Sequence, residues 1–251
     1  MTYIPEKKLA IEIDGIYWHS ELNGKGSSYH LNKTKECEEL GIQLIHIFED
    51  EIIHNKDTVY SAIAAKLGLI SNKIGARKCQ IQKLNVDTER DFINKYHLMK
   101  YTPSNVAYGL YYEDELQMVC TFGKSRFTSD EWEIIRICTK HNIIVQGGIS
   151  KLITFFKENN KITNLISYAD RRWCNIKNNA YVASGMKLIN ISKPGYWYLD
   201  FSAIKRKHRY NFTKRKIIEE LDGDPELSEW ENMIDMGHDR IWDCGQLKFS
   251  I

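Results

Sequence analysis

No stretch of this 251-residue chain approaches the roughly 20 consecutive apolar residues that span a bilayer. The opening Met-Thr-Tyr-Ile-Pro-Glu-Lys-Lys has no apolar core of a secretory leader. Neither a membrane nor a secreted protein is expected, and a cytoplasmic location is. The six cysteines, Cys37, Cys79, Cys120, Cys138, Cys174 and Cys244, show no C-x-x-C spacing and no short-range pairing with histidine. That pattern argues against a zinc ribbon or a disulfide framework, and the thiols read as reduced, mostly buried small residues. There is no internal repeat, and neither helix-turn-helix nor zinc-finger spacing. Net charge is small, at +2. What the chain does have is 43% hydrophobic and 12% aromatic residues, enough for one large or two modest cores, which excludes disorder.

The small net charge hides an uneven distribution. Residues 205–216 carry seven Lys or Arg in twelve positions with Tyr210 and Phe212 interleaved, and the chain turns acidic from Ile217. Such a run suits phosphate contacts combined with base stacking. Lys205, Arg206, Lys207, Arg209, Lys214, Arg215 and Lys216 are therefore candidate DNA contacts, although a solvated helix face fits the same residues.

Periodicity and turn residues divide the chain. Tyr3-Ile4, a turn over residues 5–8 and residues 9–14 predict a β-hairpin. Residues 29–40 predict a helix ending at Gly41, residues 42–48 a buried strand, and residues 58–67 a helix stopped by Gly68. This makes a compact α/β unit over residues 1–72, with a linker near Ser71 to Gly75. A second, α+β unit is expected over residues 76–200. It contains a helix over 88–96, strands over 107–112, 116–122 and 131–138, a Gly147-Gly148 turn, an amphipathic helix over 150–158 and a strand over 165–168. Residues 201–251 form a basic, then acidic, C-terminal extension. The expected class is α/β.

Within residues 9–14, strand alternation places Leu9, Ile11 and Ile13 on one face and Ala10, Glu12 and Asp14 on the other. Two carboxylates then share a face, roughly 6–7 Å apart. Inside a sheet they repel and are costly to desolvate unless a cation neutralises them or they reach water. A Mg²⁺ site supplies such a cation; an edge strand with one wet face would carry them as ordinary solvated charges. His19, beside Tyr17 and Trp18, suits a general base or acid near neutral pH.

Residues 9–19 (LAIEIDGIYWH) and 29–50 (YHLNKTKECEELGIQLIHIFED) resemble the catalytic domain of very-short-patch-repair-type endonucleases. The branch most similar is that of phage and mobile-element homing endonucleases, within the PD-(D/E)xK superfamily. The resemblance covers about residues 3–70. It implies a restriction-endonuclease-like fold, a Mg²⁺ (or Mn²⁺) cofactor and double-stranded DNA as partner, in the cytoplasm of a bacterial host. Glu12 takes the place of the acid of (D/E)xK and Asp14 that of its lysine, both as metal ligands. His19 matches the family's catalytic histidine, Glu49 is a supporting catalytic acid, and Lys33 and Lys35 would meet the DNA backbone. Solvated lysines explain the last two equally well. The family's first metal-binding aspartate would fall on Met1 or Thr2, so the chain is expected to begin just inside the nuclease domain.

In the second unit, Val145-Gln-Gly-Gly-Ile-Ser150 leads directly into a helix, where backbone N–H groups face a phosphate or simply form a turn. With Ile166-Ser-Tyr-Ala-Asp-Arg171 and Ala180-Tyr-Val-Ala-Ser-Gly-Met-Lys-Leu188, the stretch resembles GNAT-type acyltransferases, in particular the phage Mu-type DNA-modification (Mom-like) branch. This implies acyl-coenzyme A as cofactor, with Gly147, Gly148 and Ser150 on its pyrophosphate. Asp170 and Arg171 would line the reaction cleft, or else form a structural ion pair, and Tyr181 would donate a proton near the acyl carrier. The family's usual Gln or Arg ahead of the loop falls on Val145.

The leading expectation is thus a metal-dependent DNA endonuclease, a hydrolase of phage or mobile-element type. Two alternatives stand beside it: a GNAT-like acyltransferase modifying DNA bases, and a non-catalytic DNA-binding protein.

Overall fold

A computed structural model describes residues 1–125 and 131–251 as a mixed α/β chain with two compact units. The first unit comprises Met1–His54, Asp170–Trp173 and Ser192–Gln246. The second comprises Asn55–Ala169, Cys174–Ile191 and Leu247–Ile251. These boundaries differ from a serial division near residues 72–76 and 200, because each unit is assembled from separated pieces of chain. Among the described residues no helix is long and apolar enough to cross a membrane.

The first unit opens with the expected hairpin of β1 (Thr2–Ile4) and β2 (Leu9–Asp14), joined by a 3-10 turn at Pro5–Lys7. Helix α1 (Tyr29–Glu39) follows, and β3 (Gln43–Phe48) returns parallel to β2, with Glu12 opposite His46 and Asp14 opposite Phe48. The alternation along β2 places the carboxylates inward rather than outward. Ile13 is 62% exposed, whereas Asp14 is completely buried. The reason lies outside the strand: α1 lays buried His30 and Thr34 over the unit, and β3 is covered on both faces from Leu44 to Phe48. Helix α2 (Glu49–Leu67) starts well before Thr58 and is kinked at Asn55 (φ −140°, ψ 32°). Three acids, Glu49, Asp50 and Glu51, complement its N-terminal dipole, and Glu51 Oε2 accepts the Phe48 N–H at 3.1 Å.

The second unit holds β4 (Lys73–Gly75), β5 (Gln80–Lys83), α3 (Val86–Tyr96), β6 (Val106–Tyr112), β7 (Glu115–Lys124), β8 (Trp132–Thr139) and β9 (Ile144–Gln146). It continues through α4 (Gly148–Asn160), β10 (Leu165–Asp170), α5 (Ala180–Ala183) and β11 (Lys187–Ile191). Its main sheet runs β11-β15-β10-β8-β7-β6-β5, where β15 (Gln246–Ser250) comes from the end of the chain. The neighbouring strands β5 to β8 are antiparallel, whereas β8 and β10, connected through α4, are parallel. Leu152, Ile153 and Phe156 of α4 are at most 2% exposed, and Phe156 stacks on Phe122 at 3.8 Å between centroids. Burying each such side chain is worth roughly 1.5–3 kcal/mol.

Residues 192–246 are a folded part of the first unit rather than an extension. Strand β12 (Tyr196–Asp200) lies between β13 (Lys205–His208) and β14 (Arg240–Trp242). Helices α6 (Lys214–Glu220) and α7 (Glu229–Asp235) cover it, and fully buried Tyr198, Ile217 and Met233 pack together. A capping box between Ser228 and Glu231 starts α7.

Candidate functional site

At the C-terminal end of β2, Glu12 and Asp14 meet three histidines, of which only His19 was expected at this site. His19 arrives from the segment after β2, His30 from the first turn of α1 and His46 from β3. Asp14 Oδ1 lies 3.2 Å from His19 Nδ1, and Asp14 Oδ2 is 2.9 Å from His46 Nδ1 and 3.8 Å from His30 Nε2. His19 Nδ1 and His30 Nε2 converge to 3.0 Å, with their rings stacked 5.2 Å apart. Lys33 Nζ donates to Glu12 Oε1 at 2.7 Å. Burial pushes the Asp14 carboxyl up, but the His46 hydrogen bond and the nearby imidazoles outweigh it and hold the group below its ordinary range. Burial lowers His30 to about 3, so that ring is neutral, and lowers His19 against the pull of Asp14.

The other residues proposed around a nuclease centre have separate employments. Glu49 Oε2 accepts the Ile16 N–H at 3.1 Å and so pins the segment after β2. Lys33 neutralises Glu12, whereas Lys35 is exposed. In the basic run, Arg206 is turned inward: Nε is 2.8 Å from Asp50 Oδ1 and Nη2 is 2.8 Å from Glu51 Oε1. Arg172 joins the same network through Glu51 at 2.9 Å and Asp170 at 2.6 Å. Burial raises the Glu51 carboxyl, yet Arg172 and Arg206 bring it below its ordinary value. Lys207 pairs with Asp200 and Arg215 with Glu219, while Lys205, Arg209 and Lys214 are exposed and Lys216 is half-buried. Asp170 does not pair with Arg171; Arg171 instead grips Glu38.

The second unit has a different arrangement. Strands β8 and β10 pair only at Trp132–Leu165, Glu133–Ile166 and Ile134–Ser167, although both strands continue beyond this register. Beyond these pairs the two strands are no longer in register. Helix α4 begins after Gly147 (φ +75°), which supplies no side-chain cap, and its first N–H groups, from Gly148, Ile149 and Ser150, have no intrahelical partner, as at any helix start. Gly148 sits tight against the sheet, since a Cβ there would fall 2.5 Å from Met118 Sδ. Ser150 Oγ bonds Ser184 Oγ at 3.1 Å. Tyr181 of α5 stacks on Phe249, with ring centroids 5.0 Å apart. Burial pushes the Tyr181 hydroxyl up to about 12, and it stays protonated.

No protein-family model matches the chain, and no curated protein matches it by sequence. Among solved structures, it is similar to an acetyltransferase from Bacillus subtilis in complex with CoA, at 15% identity and TM-score 0.37, over 69% of this chain and 98% of that one. A GNAT family acetyltransferase from Elizabethkingia anophelis with acetyl-CoA bound is 13% identical, with TM-score 0.37, over 69% and 97%. The ribosomal-protein-S18-alanine N-acetyltransferase from Escherichia coli is 10% identical, with TM-score 0.38, over 69% and 92%. The leading expectation of a PD-(D/E)xK endonuclease is corrected to this extent: these three solved structures are acetyltransferases, and no endonuclease is among them. The carboxylate–histidine cluster also departs from the expected Mg²⁺ centre. Its imidazole nitrogens are poor partners for a hard, oxygen-seeking ion.

Proposed function

We propose that the second unit is a GNAT-type acyltransferase domain that uses acyl-coenzyme A. The observation that carries this reading is the early end of β8–β10 pairing at Ile134–Ser167 together with the uncapped start of α4, the helix on the connection between those two strands. An extended acyl-carrier chain would be laid alongside β8 beyond Ile134, where the strand is no longer in register with β10. The N–H groups of Gly148, Ile149 and Ser150 would hold a diphosphate, favoured by the helix dipole. When bound, acyl-coenzyme A supplies an activated thioester. Tyr181, protonated at neutral pH, is suited to give its proton to the departing thiolate.

Acetyl-coenzyme A should raise the melting temperature of the full chain in a concentration-dependent way. Gly147→Asp tests the cradle, because its charge repels phosphate while aspartate is among the residues that adopt positive φ at modest cost. Tyr181→Phe should retain binding and lose thiol release. No stabilisation by acetyl-coenzyme A would refute the reading and favour the non-catalytic alternative.

The acceptor we propose is DNA. Exposed Lys205, Arg209 and Lys214, with Tyr210 54% exposed among them, support that choice. Replacing the three cations by Gln should weaken DNA binding and flatten its log–log salt slope by about 3, if each contacts one phosphate. An unchanged slope would remove DNA as partner of this run.

A further inference from the structure

The first unit contains a polar cluster that acyl transfer does not use. We infer that Asp14, His19 and His30 form a binding site for one divalent transition-metal ion of the zinc class. The three candidate ligand atoms, Asp14 Oδ1, His19 Nδ1 and His30 Nε2, come from β2, the segment after it and α1. The separations are 3.2 Å for Oδ1 to His19 Nδ1 and 3.0 Å between the two nitrogens, and the other carboxylate oxygen lies 3.8 Å from His30 Nε2. Metal–nitrogen bonds of about 2.0–2.1 Å in tetrahedral geometry separate neighbouring ligand atoms by about 3.3 Å. The two separations at His19 are close to this value, and all three ligand atoms lie within 4.8 Å of one another.

Two features distinguish it from an ordinary hydrogen-bonded core. First, Asp14 is 0% exposed, and its Oδ1 has no hydrogen-bond partner among the described residues, a costly condition for a buried carboxylate. The second oxygen is occupied, 2.9 Å from His46 Nδ1, which leaves Oδ1 for a cation. Second, His19 Nδ1 and His30 Nε2 meet at 3.0 Å and share a single proton between them, so that both lone pairs converge on one point once it is lost. A metal accepts lone pairs from both. Two nitrogens and one carboxylate oxygen suit Zn²⁺ or Co²⁺, not Mg²⁺.

The neighbouring group of Glu12, Asp14 and His46 is the poorer candidate. Lys33 holds Glu12 Oε1 at 2.7 Å, and His46 Nδ1 is committed to Asp14. Three protein ligands leave a fourth position open. His19, whose side chain is 16% exposed, places that position next to solvent, where water or an anion completes the shell.

The test uses the full-length chain after chelator treatment and dialysis. Titration with Zn²⁺ should show one equivalent bound tightly, with a rise in melting temperature, while millimolar Mg²⁺ neither competes nor stabilises. Co²⁺ should give the visible absorption of a tetrahedral nitrogen–oxygen site. His19→Ala is chosen because it is the least buried ligand; circular dichroism confirms its fold, and its Zn²⁺ affinity should fall at least tenfold, with loss of the Co²⁺ bands. Wild-type protein that binds neither ion stoichiometrically overturns the assignment. So does a folded His19→Ala variant with unchanged affinity and spectrum. None of these readouts involves acyl-coenzyme A, so failure here and failure of the acyltransferase reading are separable.

Discussion

Asp243 shows how one side chain ties the first unit to pH. Its Oδ1 accepts the N–H groups of Gly195 and Gly245, both at 2.7 Å, yet burial and the nearby Asp170 push the carboxyl up to about 6. Because the folded-state value exceeds the ordinary one, the native protein binds this proton more tightly than the unfolded chain. The associated stability is present below pH 4 and is lost as pH rises through 6. Asp243→Asn keeps an oxygen for both N–H groups and removes the cost of ionisation. It should stabilise the protein by about 2–3 kcal/mol at pH 7.5, with the gain fading towards pH 4. Urea unfolding at the two pH values measures this, and equal effects at both would contradict it. At this scale the site was half legible. Glu12, Asp14 and His19 are conspicuous as polar residues in or just after an apolar strand, and His46 carries the same signal within Gln-Leu-Ile-His-Ile-Phe. His30 carried no such signal, since a histidine beside Tyr29 in a polar helix looks solvated until a sheet covers it.

Among the elements, strand and helix cores followed their periodicity, while ends followed capping and packing. Helix α2 reaches back to Glu49 because three acids suit its N-terminus and Glu51 meets the Phe48 N–H. The same Glu51 balances Arg172 and Arg206, so Glu51→Ala would strand buried guanidinium charge. A loss of about 3–5 kcal/mol is expected, read from the denaturant midpoint, and a change under 1 kcal/mol would show the network to be dispensable. Gly148 is a packing residue in α4. Gly148→Val would bring atoms against Met118, Val145 and Leu110 and should cost about 1–3 kcal/mol, even without ligand. Gly147→Asp has space around its Cβ, with Ala76 at 3.9 Å, but its φ of +75° strains a side chain and should cost about 1 kcal/mol.

For the molecule as a whole, the telling feature is that chain order is not spatial order. The last residues supply β15, which lies between β10 and β11 in the second unit, with Leu247 and Phe249 fully buried. Deleting residues 247–251 removes an internal strand and should abolish cooperative unfolding of that unit, seen as loss of near-ultraviolet dichroism and rapid proteolysis of residues 55–169. Retained protease resistance would show that β15 is peripheral. Acidic pH should also strain the second unit. Burial, with Arg136 and Lys100, lowers His97 to about 3, so stability present above pH 6.5 is lost as pH falls towards that value.

By itself, the sequence determined the local pieces: the hairpin, α1, β3, the strands on either side of α4 and the Gly-Gly start of that helix. These depend on alternation, helical period and backbone freedom, which neighbouring residues set. It also marked Glu12, Asp14 and His19 as unusual and suggested two chemistries for the chain. Tertiary structure alone decided that Asp14 faces inward, that His30 and His46 converge on it, that Arg206 is an internal counterion and that β8 and β10 stop pairing after Ile134–Ser167. Each of those facts depends on residues distant along the chain meeting in space, and burial, pairing and charge compensation are properties of that meeting.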